Sequence, residues 1–234
     1  MKYISLMILA LTLTIVLLNA QNMSLFLKAT SSGWYPGFLK PVIETITTHA
    51  EDKKILDIGT GPGNLPQLLI KKDSSLHITG IDIDTAMIDE ARKRFSHKNI
   101  SYQYEKINAP LDFSDNQFDV VTFCSVLFLV DDTIKTSLMN EALRVLKPNG
   151  KIIILTPSGR KSILSSFVEV WNYPFSSNNW TFMVWKIATT CSGRKWKQQK
   201  WLENFSKEKT LNYTSSLTFN NNASMEILTK TINN

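Results

Sequence analysis

The chain has 234 residues, 43% of them hydrophobic and 20% charged, with a net charge of +6. This composition suits one α/β domain with a proper core and gives no support to a disordered or fibrous chain. The mild basic excess is compatible with an anionic membrane surface, nucleic acid or a solvated face. Two cysteines, Cys124 and Cys191, are too few for a disulfide framework or a zinc site, so we expect two buried thiols and no metal.

The N-terminal segment is apolar. Residues 3–20 are interrupted only by small polar side chains and follow a single positive residue, Lys2. The length of the segment lies between the core of a cleaved signal peptide and a membrane-spanning helix of roughly 20 residues, so the pattern leaves both readings open. We therefore expect residues 1–20 to be a membrane anchor or a signal peptide.

Residues 21–50 are expected to form a cap or linker helix. The turn at 33–37 precedes an amphipathic run over 38–48, and a proline inside the turn is well placed to open that helix. The aromatic pair Trp34 and Tyr35 could lie at a bilayer interface, pack in the core or line a pocket.

A glycine-rich turn follows the first apolar strand. Apart from Asp57, residues 55–58 are apolar, as in a buried parallel strand. Gly59, Gly61 and Gly63 then allow the backbone to turn sharply and to approach a ligand that a Cβ would exclude. A dinucleotide-binding turn, G-x-G-x-x-G, would need a further glycine where this chain has Asn64. The spacing therefore argues against a nicotinamide cofactor.

An acid follows the turn at the end of the second strand. A helix over 64–72 leads to the apolar strand 77–82, which ends in Asp82. A carboxylate about twenty residues beyond such glycines commonly accepts hydrogen bonds from ribose hydroxyls. Asp82 could instead cap the next helix, 85–95, but Asp84 can do so without it.

Further strands and helices are expected downstream. They are strands at 101–106, 118–125 and 151–156, a helix over 131–147, an apolar helix around 180–191, and a C-terminal hairpin of 211–219 and 224–231. Pro148 and Gly150 form the stop signal of the first of these helices. The segment 180–191 is apolar nearly all round, so we expect it to be buried or to touch lipid.

Three motifs resemble those of a known family. D-x-G-x-G-x-G at 57–63, F-D-x-V at 118–121 and E-x-x-R-V-L-K-P-N-G at 141–150 resemble, in the same order, the motifs of class I S-adenosylmethionine-dependent methyltransferases. The resemblance implies a doubly wound, seven-stranded Rossmann-like α/β fold with the last strand antiparallel, here preceded by an N-terminal hydrophobic helix. It also implies a methyltransferase domain over 51–234, with a substrate-cap insertion at about 157–210.

By the same resemblance the cofactor is S-adenosyl-L-methionine. The turn would hold its methionine part, Asp57 would lie near the ammonium, Asp82 would bind the ribose, and Asn108 with Ala109 would flank the adenine. The family usually has Gly-Asp-Ala where this chain has Ile-Asn-Ala at 107–109, so an acceptor oxygen remains but its charge is lost. The full predicted cofactor-binding set is Asp57, Gly59, Thr60, Gly61, Gly63, Asp82, Ile83, Met87, Asn108, Ala109 and Ser125.

No catalytic residue is assigned from the sequence. The end of the strand at 118–125 carries neither Asn-Pro-Pro-Tyr nor Pro-Cys, which argues against nucleic-acid bases as acceptors. None of the three histidines lies where a base is expected. Methyl transfer from a sulfonium depends mainly on alignment and exclusion of water, so the absence of a base does not argue against an enzyme.

The acceptor is expected to be small and lipophilic, either quinone-like or a phospholipid, because the two segments that can cover the site, 38–43 and 171–201, are apolar. S-adenosylmethionine is made in the cytosol, so we favour an uncleaved, single-pass N-terminal anchor with the membrane as a partner and the catalytic domain in the cytosol. Two alternatives stay open: a degenerate domain that binds without turnover, and RNA binding through the basic and aromatic stretch near Trp196.

Overall fold

The computed structural model describes residues 23–48, 54–106, 109–160 and 163–230. The strands in these ranges are β1 (Lys54–Ile58), β2 (His77–Asp82), β3 (Ile100–Tyr104), β4 (Phe118–Cys124), β5 (Leu146–Pro157), β6 (Asn212–Thr218) and β7 (Ala223–Thr229). The helices are α1 (Met23–Thr30), α2 (Tyr35–Thr47), α3 (Asn64–Lys72), α4 (Thr85–Arg94), α5 (Asp132–Val145), α6 (Ile163–Val170), α7 (Thr181–Gln199) and α8 (Trp201–Glu208). A short 3₁₀ helix spans Leu127–Leu129.

The seven described strands form one sheet in the order β3-β2-β1-β4-β5-β7-β6. β3, β2, β1, β4 and β5 pair in parallel, and β7 pairs antiparallel with both β5 and β6. Six strands therefore run one way and β7 runs the other, which confirms the predicted doubly wound fold. The strand order reverses between β1 and β4, and folds of this kind bind ligands in the crevice at that point, outside the carboxyl ends of the strands.

The central strands are buried on both faces, as their near-continuous apolar sequences predict. Ile55 and Leu56 of β1 and Val120 and Val121 of β4 are fully buried, and alternate residues of a strand point to opposite faces. One core cluster joins the sheet to side chains of α5 and α8, and the other joins it to side chains of α2 and α3. The sheet is therefore held rigidly below the crevice.

The helices beside the crevice begin and end for identifiable reasons. Asp84 caps α4 by accepting the backbone N–H of Ala86 at 2.9 Å. α5 ends at Val145, earlier than predicted, because Leu146 already pairs with Phe118 at the start of β5. The strand ladder thus takes over before the proline and glycine that indicated a stop.

The aromatic side chains expected around an acceptor pocket form a core cluster instead. Trp34, Phe38 and Phe182 are fully buried, and the Trp34 ring centroid lies 5.6 Å from that of Phe182. Trp34 Nε1 donates a hydrogen bond to Thr181 Oγ1 at 3.0 Å. These contacts tie α2 to α7, so the prediction that the segment 38–43 lines an acceptor pocket is wrong.

Helix α7, which was expected to be buried or to touch lipid, is buried on one side only. Trp180 is 49% exposed and Cys191 is exposed, whereas Phe182, Val184 and Trp196 are buried. The buried side chains pack into the two cores of the domain. The expected burial of Cys191 is therefore wrong.

The predicted membrane anchor, residues 1–20, lies outside the described residues. Within the ranges that the structure describes, no helix is long and apolar enough to cross a bilayer. On this finding the prediction of a single-pass membrane protein is wrong. The predicted domain boundaries, at 21–50, 51–234 and 157–210, stay predictions.

Candidate cofactor site

The turn after β1 requires glycine at three positions. Gly59, Gly61 and Gly63 have φ angles of 73°, 54° and 79°, in the left-handed region that other residues rarely adopt. A Cβ on Gly59 would overlap the Val126 side chain, and one on Gly63 would overlap the Tyr102 hydroxyl. The glycines therefore serve both the backbone conformation and the close approach of neighbouring side chains.

Asp82 holds this turn against the end of β2. Its Oδ2 accepts the backbone N–H of Gly61 at 2.8 Å, and its Oδ1 accepts the backbone N–H of Asp84 at 3.0 Å. Burial raises the pKa of Asp82, although both N–H bonds act in the opposite direction. A carboxylate oxygen can accept more than one hydrogen bond, so each oxygen keeps capacity for a ligand hydroxyl.

A cavity of about 360 Å³ opens beside the turn, within the size range of small-molecule sites. Its walls come from α1, the turn, the ends of β2 and β4, the segment after β3, and α5. The structure brings seven of the predicted residues to this cavity: Gly59, Gly61, Asp82, Ile83, Met87, Ala109 and Ser125.

The other predicted residues do not line the cavity. Thr60 and Gly63 belong to the turn itself, and Asn108 lies outside the described residues. Asp57 is only 2% exposed, and its Oδ1 accepts a hydrogen bond from Thr122 Oγ1 at 2.6 Å. Burial raises the pKa of Asp57 to about 6, against the lowering effect of that hydrogen bond. The structure therefore does not place the Asp57 carboxylate in the cavity, where it was expected to contact a ligand ammonium.

Sequence reasoning missed many of the lining residues. They are Phe26, Ile58, Ile81, Asp84, Glu105, Lys106, Leu111, Cys124, Val126, Leu129, Val130, Ser137, Leu138 and Glu141. Glu141 had a signal, because it opens the E-x-x-R motif. It accepts the backbone N–H of Leu111 at 2.8 Å and pairs with Arg144 at 2.7 Å. The motif thus fixes the segment that covers the cavity after β3.

Phe26 lines the cavity although it is distant in sequence from the glycine turn, and no sequence pattern predicted this. A Cβ on Gly61 would come within 3.2 Å of the Phe26 ring, so α1 lies directly on the turn. Asn64 Nδ2 donates a hydrogen bond to the carbonyl of Thr30 at the end of α1, at 2.8 Å. The residue that replaces the glycine of a dinucleotide-binding turn therefore holds α1 in place.

The end of β4 turns away sharply beside the cavity. Ser125 has a φ of 63°, and its backbone N–H donates to the carbonyl of Leu155 at 2.8 Å. This conformation directs Val126 onto Gly59. The glycine turn is thus in contact with Val126 at one position and with Phe26 at another.

The cavity carries an excess of negative charge. Four carboxylates line its described part, those of Asp82, Asp84, Glu105 and Glu141, against one cation, Lys106. Such a site suits a ligand with positive charge and with hydroxyl or amine donors. S-adenosyl-L-methionine has a sulfonium, an ammonium, two ribose hydroxyls and an amine, so the residues present fit the cofactor that the sequence resemblance implies.

A model of the methyltransferase domain family matches residues 49–213. Among relatives, the ubiquinone/menaquinone biosynthesis C-methyltransferase UbiE of Desulfotalea psychrophila is 37% identical over 119 residues, which are 50% of this chain and 47% of that protein. The demethylmenaquinone methyltransferase of Thermotoga maritima is 29% identical over 158 residues, 65% of this chain and 66% of that protein. The chain spans about half the length of the curated relatives it matches.

Solved structures share the fold at low identity. A putative S-adenosyl-L-methionine-dependent methyltransferase from Methanococcus maripaludis has a TM-score of 0.66 and 19% identity, over 89% of this chain and 92% of that one. The plantazolicin methyltransferase BpumL, in complex with a triazolic desmethylPZN analog and SAH, has a TM-score of 0.57 and 16% identity, over 94% of this chain and 90% of that one.

Proposed function

Because the chain belongs to the methyltransferase domain family, we propose that it transfers the methyl group of S-adenosyl-L-methionine to a small, lipophilic, quinone-like acceptor. The names of the relatives support this class of acceptor, since they include enzymes of ubiquinone and menaquinone biosynthesis. The glycine turn lies within the residues that match the family model, 49–213.

Residues at the carboxyl ends of β1, β2 and β3 would hold the cofactor. The glycine turn after β1 lets its methionine part approach the backbone. Asp82, at the end of β2, accepts hydrogen bonds from the ribose hydroxyls, because each of its carboxylate oxygens can accept a further hydrogen bond beside the backbone N–H bond it already has. Ile83 and Met87, which line the cavity just beyond, pack against the base. Asp57 lies buried in β1, where it stabilises the strand and does not contact the cofactor.

An apolar wall beside the end of β4 is the observation that carries the acceptor class. Phe26, Val126, Leu129 and Val130 line this part of the cavity, and the first two contact the glycine turn itself. A flat apolar ring gains from burial against such side chains, whereas an unpaired charge would be costly there. Lys106, the cation of the described lining, follows β3, away from this wall. A phospholipid phosphate would therefore find no partner at the wall, which favours the quinone-like acceptor.

Alignment and exclusion of water are what the residues contribute to the reaction. When bound, S-adenosyl-L-methionine supplies a methyl group on a positively charged sulfur, so the leaving group is already good. Phe26 and Val126 cover the turn, and holding two reactants in line in this way can supply roughly 7 to 11 kcal/mol. No histidine lines the described part of the cavity, and burial raises the pKa of the Cys124 thiol. An electron-rich acceptor such as a hydroquinone does not depend on a histidine or thiolate base.

A labelling experiment tests this function. The protein is incubated with methyl-labelled S-adenosyl-L-methionine and either a demethylated hydroquinone, phospholipid vesicles or a membrane lipid extract, with Asp82→Ala as the inactive control. We expect label in the hydroquinone with the wild type and none with the control. Label confined to water-soluble metabolites or to protein would overturn the acceptor class. Binding of S-adenosyl-L-homocysteine with no turnover of any acceptor would instead indicate a degenerate binding domain.

A further inference from the structure

A second cavity, of about 460 Å³, lies near the carboxyl end of β5 and shares no lining residue with the cofactor cavity. Its volume is within the range of small-molecule sites. The segment after β5, α6, α7, the segment between these helices and the turn between β6 and β7 contribute to its walls. The lining side chains, all polar or charged except one, are Arg160, Val168, Glu169, Asn172, Lys186, Asn220 and Asn222. Such a lining suits a charged ligand rather than an apolar one.

Glu169, the acid of this cavity, is already supplied with hydrogen-bond donors. Its Oε1 accepts hydrogen bonds from the Tyr173 hydroxyl at 3.0 Å, from Asn220 Nδ2 at 3.4 Å and from Asn222 Nδ2. These bonds hold the carboxylate against the turn between β6 and β7. A donor from a ligand is therefore not required to satisfy Glu169.

Lys186 is buried without a hydrogen-bond acceptor among the described residues. Its side chain is 8% exposed, and its Nζ lies 3.7 Å from Glu169 Oε2, which is an ion-pair distance but too long for a hydrogen bond. On its other contact, Nζ lies 5.5 Å from the centroid of the Phe182 ring. An ammonium has three N–H donors, and buried donors without an acceptor are costly. The donors of Lys186 are therefore available to an acceptor in the cavity.

Arg160 brings a second positive charge to the same cavity. Its guanidinium has no hydrogen-bond or ion-pair partner in the part of the chain that the structure describes. Burial lowers the pKa of Lys186, Glu169 raises it, and the positive charge of Arg160 lowers it again. The two cations thus repel each other across the cavity, and with Glu169 they leave one excess positive charge. An anion bound between them would remove this repulsion.

We propose that this cavity binds a phosphate group, held between Arg160 and Lys186. A guanidinium and an ammonium are both common partners of phosphate in proteins, and the side-chain amides of Asn172 and Asn220 add neutral donors from two further segments. Because a tetrahedral oxyanion presents oxygens in several directions, it suits donors that come from four separate segments. Inorganic phosphate and a small phosphate ester share this chemistry. The site lies outside the cofactor cavity, so the proposal goes beyond methyl transfer.

Calorimetric titration of the full chain with inorganic phosphate and with glycerol 3-phosphate, at constant ionic strength, tests the proposal. We expect both to bind. Tighter binding of the ester would support the site and identify a substituted phosphate as its ligand, whereas tighter binding of inorganic phosphate would support it and identify the free ion. No binding of either at concentrations up to about 10 mM would overturn the proposal.

Two substitutions assign the binding to this cavity. Arg160→Gln and Lys186→Met should each weaken the affinity for phosphate about 10-fold or more, because each removes a charge-assisted hydrogen bond. Lys197→Gln is the matched control, since it removes an exposed cation of α7 that does not line this cavity, and it should change the affinity less than about 2-fold. An affinity unchanged in either cavity variant, or weakened equally in the control, would overturn the proposal.

Thermal unfolding verifies that the variants are folded. Lys186→Met keeps an unbranched apolar side chain beside Phe182 but leaves Glu169 without its cation, so it is the variant at risk. If it does not fold, Arg160→Gln decides, because Arg160 is exposed. The affinity of Arg160→Gln for S-adenosyl-L-homocysteine should stay within about 2-fold of the wild type, and a parallel loss of that affinity would overturn the assignment to a separate site.

Discussion

Asp82 and Gly61 are joined by a hydrogen bond of 2.8 Å between the side-chain Oδ2 and the backbone N–H. The acid that the sequence assigns to ribose binding therefore also sets the geometry of the glycine turn. One carboxylate has a structural contact and a proposed ligand contact, so substitutions at Asp82 should change stability and binding together.

Asp82→Ala should abolish measurable binding of S-adenosyl-L-homocysteine and lower the free energy of unfolding by roughly 1 to 3 kcal/mol, because two backbone N–H groups lose their acceptor. Calorimetry and urea denaturation measure the two effects. Asp89→Ala, at an exposed position in the next helix, should change neither. Unchanged affinity in Asp82→Ala would remove the ribose assignment, and unchanged stability would remove its role in the turn.

Gly63→Ala should lower the free energy of unfolding by roughly 2 to 4 kcal/mol, because the residue has a positive φ and its Cβ would overlap the Tyr102 hydroxyl. Tyr102→Phe removes that hydroxyl, so the double variant should recover part of the loss. Chemical denaturation of the four proteins in the cycle gives the coupling. Strictly additive effects would contradict the predicted overlap.

Asp57 should make the stability of the protein depend on pH. Burial raises its pKa to about 6 in the folded state, so the folded protein holds this proton more tightly than the unfolded chain does. The free energy of unfolding should therefore fall as the pH rises from about 4 to about 6, by up to roughly 3 kcal/mol.

The variant Asp57→Asn keeps an acceptor for Thr122 and removes this titration. Urea denaturation of both proteins at pH 4 and pH 7 measures it, and the difference in stability should shift in favour of the variant at the higher pH. Because the other titrating groups are shared, their contributions cancel in the comparison. A difference that is the same at both pH values would show that Asp57 does not titrate in this window.

Phe26→Leu should raise the KM for a hydroquinone acceptor about 5- to 10-fold while the affinity for S-adenosyl-L-homocysteine changes less than about 2-fold, because the ring belongs to the proposed acceptor wall. Steady-state kinetics and calorimetry separate the two. Phe175→Leu is the matched control, since Phe175 is 98% exposed and should leave both values unchanged. A parallel loss of cofactor affinity would mean that Phe26 contacts the cofactor instead.

Local patterns determined the sheet and the turn in advance of any structure. Two apolar runs of strand length predict where strands end: one is followed by Gly59, Gly61 and Gly63, and the other ends in Asp82. The three glycines also predict a ligand-binding turn. Such patterns are informative because backbone sterics and burial act over a few residues. Seven of the predicted cofactor residues do line the cavity. Their roles in binding stay predictions.

Aromatic patterns could not be interpreted in the same way. Apolar side chains at 38–43 and 180–191 have the same composition whether they line a pocket or fill a core, and only packing decides between the two. In the structure Phe38 and Phe182 both pack on Trp34. The proposed acceptor wall is formed by other residues.

Contacts between distant segments were decided by the tertiary structure alone. The Phe26 ring lies on Gly61 because Asn64 holds the end of α1, and Val126 contacts Gly59 because Ser125 turns the backbone after β4. Asp57 is buried against Thr122 rather than directed into the cavity. The sequence by itself determined which backbone conformations and strand ends form, since these are local; which side chains meet across the crevice depends on how the elements pack, and no short-range pattern encodes that.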